Sequence, residues 1–392
     1  MSLPRIRQSP RDPEFVQNPY PFYESVRALG PLFIWQDYDD LPCTGDHALV
    51  NAVLRDRRFG REPPPDRRPP APPHLAPFRK LDDLSMLDRE PPAHTRLRGL
   101  VVRAFTSARV AALEAEISAL AHRLIDAFPA DQPFDLLPAF AEPLPARIIA
   151  RLIGVPEDAA PQLVAWSHAM VAMYQARRDT RTERAAGAAA AAFDAYLRDL
   201  IAARRKAPAG DLLSALIAAR DDADRLSEDE IVATTVLLLN AGHEATVHSL
   251  GNAIPHFLAA GLRPSPDPEM VEEVLRYDPP LHLFTRWVNA RADLAGHRFE
   301  PGDQIGLLLA AANRDPAVFE MPDRFDPTRA QGKNLSFGAG IHFCVGAPLA
   351  RAEIRLALPI LLERCPGLRV VARPEYRDIY HFRGRAGLRV AI

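Results

Sequence analysis

Ser227 is followed three residues later by Glu230, and apolar residues then recur at helical spacing through Ile231, Val236, Leu239 and Val247 to about Ala253. A serine and a glutamate at that separation satisfy each other's free backbone donors, which marks the start of a helix. The spacing predicts one helix of roughly 25 residues, or ~40 Å at 1.5 Å per residue. A rod of that length crosses a molecule of 392 residues, so the rest of the chain must be arranged around it. Its middle reads Asn240-Ala241-Gly242-His243-Glu244-Ala245-Thr246. Glycine is costly inside a helix, so either the helix deforms at Gly242 or something approaches its backbone closely.

Helical periodicity also covers His94 to Phe105, Ala108 to Phe128, Leu144 to Ile153, Asp158 to Tyr174, Thr182 to Arg205 and Asp211 to Arg220. A short helix is predicted from Pro268 to Arg276 and a last one from about Val345 to Leu362. Short strands are predicted around Pro31 to Gln36 and Leu41 to Thr44, followed by a helix from Asp46, and further strands between 283 and 310 with turns at Gly296 and Pro301-Gly302. The proline run from Pro63 to Pro73 must be a loop, either a linker or a cover over a site. Asn313 to Ser336 has little periodicity and needs tertiary anchors. Helices dominate and strands are segregated, so the fold class is mainly α with a smaller β region (α+β). The length fits one large domain or two intimate ones.

A formal net charge of -2 gives no overall field for nucleic acid or an anionic membrane. The N-terminus has no apolar segment behind its arginines, and no stretch reaches the ~18 apolar residues of a membrane span. The chain is therefore expected to be soluble and cytoplasmic. The three cysteines, Cys43, Cys344 and Cys365, lie far apart with no C-x-x-C pair, which argues against a zinc ribbon or a disulfide framework.

Chemistry concentrates in Phe337-Gly338-Ala339-Gly340-Ile341-His342-Phe343-Cys344-Val345-Gly346-Ala347-Pro348-Leu349-Ala350-Arg351. A cysteine at the mouth of a helix is held as thiolate by the dipole and by free N–H groups. Glycines at 338, 340 and 346 let backbone pass close to a flat group, and Phe337 and Phe343 supply apolar walls. A dinucleotide loop is excluded, because Phe343 stands where its third glycine belongs.

F-x-x-G-x-H-x-C-x-G-x-x-L-A-R is complete here and resembles the heme-binding signature of the cytochrome P450 superfamily, in its soluble bacterial branch. The resemblance extends over nearly the whole chain. It implies a P450 fold over residues 1–392 as one domain, with a mixed, β-rich N-terminal part to about residue 60 and a helical core from about 90. The implied cofactor is heme b, its iron bound by Cys344, with Phe337, Gly338, His342 and Gly346 around it. Glu273-Val274-Leu275-Arg276 is similar to the family's E-x-x-R ion pair, and Pro322-Asp323-Arg324-Phe325 to the arginine-bearing segment that joins it. His94, Arg98 and Arg286, together with His342, are implied to bind the heme propionates.

The implied activity is a monooxygenase that inserts one oxygen atom from O2 into a small molecule. In the family the long helix presents an acid followed at once by threonine; here the pair is Glu244-Ala245, and Thr246 is rotated by about 100° around the axis. Glu244 and Thr246 are the catalytic candidates, with water, a substrate hydroxyl or a shifted Thr246 in place of the usual hydroxyl. Substrate contacts are expected at Leu84, Met86, Leu238, Ala241, Ala245, Leu283, Phe284 and Phe382, with His282 and His381 as polar contacts. They imply a medium-sized, largely apolar or aromatic substrate. Electrons are expected from a separate ferredoxin or flavodoxin and its reductase, docking on Arg103, Arg109, Arg351 and Arg355. A peroxide-driven peroxygenase and a non-catalytic heme-bearing accessory or sensor protein are the alternatives.

Overall fold

The computed structural model describes residues 2–68, 70–174, 178–221, 224–330 and 333–392, with the backbone alone at 220, 221 and 224. Pro69 of the proline run, Gln331 and Gly332 of the irregular stretch, and the side chain of Arg220 lie outside the described residues.

The long helix spans Glu228–Ala260, 33 residues, and both halves of the Ser227/Glu230 capping box are formed. It outruns the apolar pattern because it continues through Pro255 to Gly261, whose left-handed φ of 63° ends it. The helix does not deform at Gly242. A Cβ there would lie 2.7 Å from Ile149 Cγ1, so the glycine exists to let the helix Pro143–Ile153 press against the backbone. The helices Ala160–Val171, Thr180–Lys206 and Ala347–Arg364 also pack on the long helix, which explains why its apolar residues are not confined to one stripe.

Two predicted helices are divided. Ala108 to Phe128 bends at Leu113 into Ser107–Ala112 and Glu114–Asp126, which keeps Leu113 in the core. Asp158 to Tyr174 has its regular part at Ala160–Val171, between turns Glu157–Ala159 and Ala172–Tyr174. Asp211 caps the shorter helix Leu212–Ala218.

Residues 1–60 are less β-rich than their sequence suggests. Helices Pro13–Gln17, Tyr20–Leu29 and His47–Arg55 occupy much of them. Pro13 and Pro21 sit in first turns, where the missing N–H costs nothing, so these prolines start helices. The strands they connect join a six-stranded sheet ordered Arg5–Ile6, Phe33–Trp35, Leu41–Thr44, Gln304–Leu308, Leu283–Val288, Phe59–Gly60. Its centre pairs the two ends of the chain, with Gly306 beside Cys43 in parallel register.

The proline run forms the turns Pro65–Arg67 and Pro73–Leu75 and leads into the helix Ala76–Asp83. It covers the helical core, burying Leu75 and Phe78, while His74 meets Glu183 at 3.0 Å. The irregular stretch is anchored as its length requires: Asn313 Nδ2 donates to Ser336 Oγ at 2.8 Å, and Asn313 Oδ1 accepts from Leu335 N at 2.7 Å.

Candidate functional site

Gly338 and Gly340 have φ of 68° and 70°, a conformation that turns the chain sharply just before the cysteine. A side chain on Gly340 would strike the Leu54 carbonyl at 2.2 Å, so this turn also seats the loop on the helix His47–Arg55. Cys344 N donates to Phe337 O at 3.1 Å, and the late helix begins at Ala347. Backbone N–H groups of Gly346 and Ala347 point at the sulfur, as the sequence position predicts. Surrounding protein nevertheless pushes the thiol above its ordinary value, against those N–H groups and the charges of Arg98 and Arg351.

Cys43 and Cys365 are buried, whereas Cys344 is exposed. Ala241 is exposed in the middle of the long helix, and Phe343 is 38% exposed. Interiors are close-packed, so exposure at such positions marks a space shaped for something else. Phe337 and Phe343 stand 6.3 Å apart beside the sulfur.

Basic groups converge on the same loop. Arg98 donates to Phe343 O at 2.6 Å. The rings of His94 and His342 lie 4.4 Å apart, and His342 Nε2 meets Glu90 Oε1 at 3.1 Å. His94 is buried with Nδ1 unpartnered, and burial followed by the charges of His342 and Arg98 lowers it to about 4. Arg286 is 2% exposed; its guanidinium donates to the carbonyl of the adjacent Thr285 at 2.8 Å and lies 5.7 Å from the Phe284 ring. Burial, aggravated by Arg61, lowers Arg286 to about 9. A buried guanidinium with no ion-pair partner among the described residues requires an anion, and the unpartnered nitrogen of His94 leaves room for a further polar group beside it. A flat group carrying two carboxylates and an iron for Cys344 fits this set.

Glu90 and Arg61 belong to the same cluster. Arg61 N donates to Glu90 Oε1 at 2.7 Å and its guanidinium pairs with Asp88 at 2.9 Å. Glu90 stands four residues before His94, a helical interval that offers a signal; Arg61 offers none.

The Glu273–Arg276 pair is formed, with two hydrogen bonds of 2.7 and 2.8 Å. The expected third partner is corrected. The guanidinium on Glu273 is Arg329, at 3.1 Å, while Arg324 contributes its backbone carbonyl to Arg276.

Glu244 sits among three imidazoles: His168 Nε2 lies 3.2 Å from its Oε2, His243 Nε2 3.7 Å from the same oxygen, and His248 Nε2 3.2 Å from Oε1. Burial works to raise its carboxyl, but His168 and His248 hold it well below the usual range. Thr246 does not take the place of the missing hydroxyl. It is buried beside Glu353 of the late helix, a fully buried carboxyl raised to about 8 by that burial, which outweighs the opposing contact with the Thr246 hydroxyl. Neither His168 nor Glu353 stands in a recognisable motif.

Among the expected substrate contacts, Ala241 is exposed, and Ala245, Leu84, Phe284 and Phe382 are partly so. Met86 and Leu238 are buried in the helical core. Leu283 is turned into the aromatic N-terminal core against Gly306 and Cys43, because successive strand residues face opposite sides. His282 and His381 are also corrected: they are tied to Tyr23 and Tyr38, and burial lowers them to about 3 and about 4. In the expected docking patch, Arg351 pairs with Glu272 at 2.6 Å, Arg355 with Glu114 at 2.7 Å, and Arg109 donates to Gly210 O at 2.7 Å. No helix among the described residues is long and apolar enough to cross a membrane.

A family model described as cytochrome P450 matches residues 268–368. The biotin biosynthesis cytochrome P450 of Bacillus subtilis is 34% identical over 99% of this chain and 99% of its own. Cytochrome P450 monooxygenase PikC of Streptomyces venezuelae is 37% identical over 92% of this chain and 87% of its own. The structure of P450BioI in complex with hexadec-9Z-enoic acid ligated acyl carrier protein superposes with a TM-score of 0.90 at 33% identity, covering 97% of this chain and 100% of that one. Fold and sequence agree: this chain belongs to the cytochrome P450 family and is a heme b monooxygenase acting on a small molecule with O2.

Proposed function

We propose that Cys344 Sγ binds the heme iron, that His94, Arg98, Arg286 and His342 take the two heme carboxylates, and that Phe337, Gly338 and Gly346 wall the ring. The observation that carries this reading is Arg286, a buried cation with no ion-pair partner among the described residues, close enough to act on His342 of the cysteine loop. Heme bound there supplies the oxygen-activating chemistry, which a sulfur ligand favours. The chain's own residues then bind the substrate, exclude water and move protons.

Glu244 is the proton carrier in this reading. His168 is 48% exposed at its side chain and touches Glu244, so it links the carboxylate to bulk water. Ala245 presents a methyl group on the next position, which leaves a water or a hydroxyl of the substrate to complete the path. The partly exposed Leu84, Ala241, Ala245, Phe284 and Phe382 favour a medium-sized apolar or aromatic substrate.

Electrons come, in this reading, from a separate ferredoxin or flavodoxin. The enzyme works as one domain, as the sheet shared by residues 5–60 and 283–308 supports, and in this reading it acts in the cytoplasm. A peroxide-driven reaction is the second reading, favoured by the missing hydroxyl at 245; turnover with peroxide and no reductant selects it.

The test of the heme site is the Cys344→Ser variant. The purified wild-type protein is expected to carry porphyrin and to give a thiolate-type carbon monoxide band, and the variant to lose that band. A serine variant with the native absorption spectrum overturns the assignment.

A further inference from the structure

His243 Nδ1 lies 2.8 Å from the carbonyl of Leu239, one turn back on the long helix. A carbonyl only accepts, so Nδ1 carries the proton and Nε2 presents a lone pair. That lone pair has no hydrogen-bond partner although His243 is 2% exposed, and it faces Glu244 Oε2 across 3.7 Å. Two acceptors aimed at each other inside a protein need a donor or a cation between them. His168 brings a third ligand atom from the neighbouring helix Ala160–Val171, 3.2 Å from the same oxygen, and Oε2 has no hydrogen bond of good geometry with either ring.

We propose that His168, His243 and Glu244 form a binding site for a divalent transition metal of the zinc type, bridging two helices beside the oxygen-activating centre. The three ligand atoms lie within 4.8 Å of one another. Tetrahedral zinc with bonds of ~2.0–2.1 Å sets its ligand atoms ~3.3 Å apart, and the contacts of 3.2 and 3.7 Å bracket that spacing. Two imidazoles and one carboxylate suit zinc or copper rather than magnesium or calcium. Three protein ligands leave a fourth position for water.

The surroundings of the site match those of metal ligands elsewhere. The Leu239 carbonyl fixes the tautomer and ring angle of His243, and His248 holds the second oxygen of Glu244 at 3.2 Å. On the reading of Glu244 as the proton carrier, an occupied site withdraws that carboxylate and slows turnover. Zinc would then act as an inhibitor, while the heme, held by residues outside the long helix, stays in place.

The test is equilibrium dialysis of the heme-loaded enzyme against zinc, with metal quantified, for wild type, His168→Ala and His168→Cys. His168 is half-exposed and outside the heme cluster, so its variants are expected to keep the heme absorption spectrum. Wild type is expected to retain one zinc more than His168→Ala, with affinity at least tenfold lower in that variant and largely restored by cysteine. Equal zinc in wild type and His168→Ala overturns the site, as does failure of cysteine to restore binding. Oxygen consumption driven by a surrogate ferredoxin and reductase gives the second readout. Zinc is expected to lower it in wild type and a chelator to restore it. Zinc that binds without slowing consumption leaves the site standing and overturns the role of Glu244 in proton delivery.

Discussion

Arg276 and Glu273 meet face to face through two hydrogen bonds, both side chains almost wholly removed from water. Arg276 also donates to the carbonyls of Asn313 at 2.9 Å and Pro322 at 2.8 Å, so one guanidinium ties the helix Pro268–Tyr277 to the irregular segment before the cysteine loop. Removing one member of a buried pair strands the other charge, at ~3–5 kcal/mol. Arg276→Leu should therefore yield little soluble holoprotein, and what is recovered should melt well below wild type. A loss under about 1 kcal/mol in chemical unfolding would show that Arg329 alone satisfies Glu273.

Gly242→Ala places a methyl group 2.7 Å from Ile149 Cγ1. Overpacking of this kind costs about 1–3 kcal/mol. Residues in direct contact couple, so adding Ile149→Ala should recover part of the loss despite its own cavity. Strictly additive unfolding energies would refute this contact as the reason for the glycine.

Arg286→Met should release heme faster, because a charge-assisted hydrogen bond contributes about 1.5–3 kcal/mol. Transfer of heme to apomyoglobin is expected to accelerate by roughly 10- to 100-fold, at about 1.4 kcal/mol per decade. His94→Ala should act in the same direction but less strongly, since burial keeps that ring neutral at pH 7.

Glu353 is raised to about 8 by burial, above an unfolded value of ~4.3. The folded state therefore holds this proton more tightly, and stability falls as pH climbs from ~4.3 towards 8. Glu353→Gln lacks that slope. Its advantage over wild type in thermal midpoint should grow across this window and level off above it. Parallel pH profiles for the two proteins would mean that Glu353 gains a partner on heme binding.

What could be read from the chain was local. Cys344, its glycines and the E-x-x-R pair are recognisable because their spacing lies within one turn or one helix. The substitution of Arg329 for Arg324 was not readable, since both occupy an irregular segment whose path is fixed by Asn313 and Ser336 rather than by periodicity. Leu283 was misplaced because both faces of its strand meet apolar cores, so alternation carries no inside and outside. His168 was invisible for a different reason. It is an ordinary histidine on its own helix and acquires meaning only when a second helix brings Glu244 to it.

The sheet that sets Cys43 beside Gly306 has a consequence for the birth of the molecule. Its first strands leave the ribosome long before their central partner exists, and at about 5–20 residues per second the wait is tens of seconds. During that interval Phe33, Trp35 and Leu41 lack the neighbour that will cover them. Chaperone demand during synthesis should therefore fall on the first sixty residues, and the fold should close only when residue 308 has emerged.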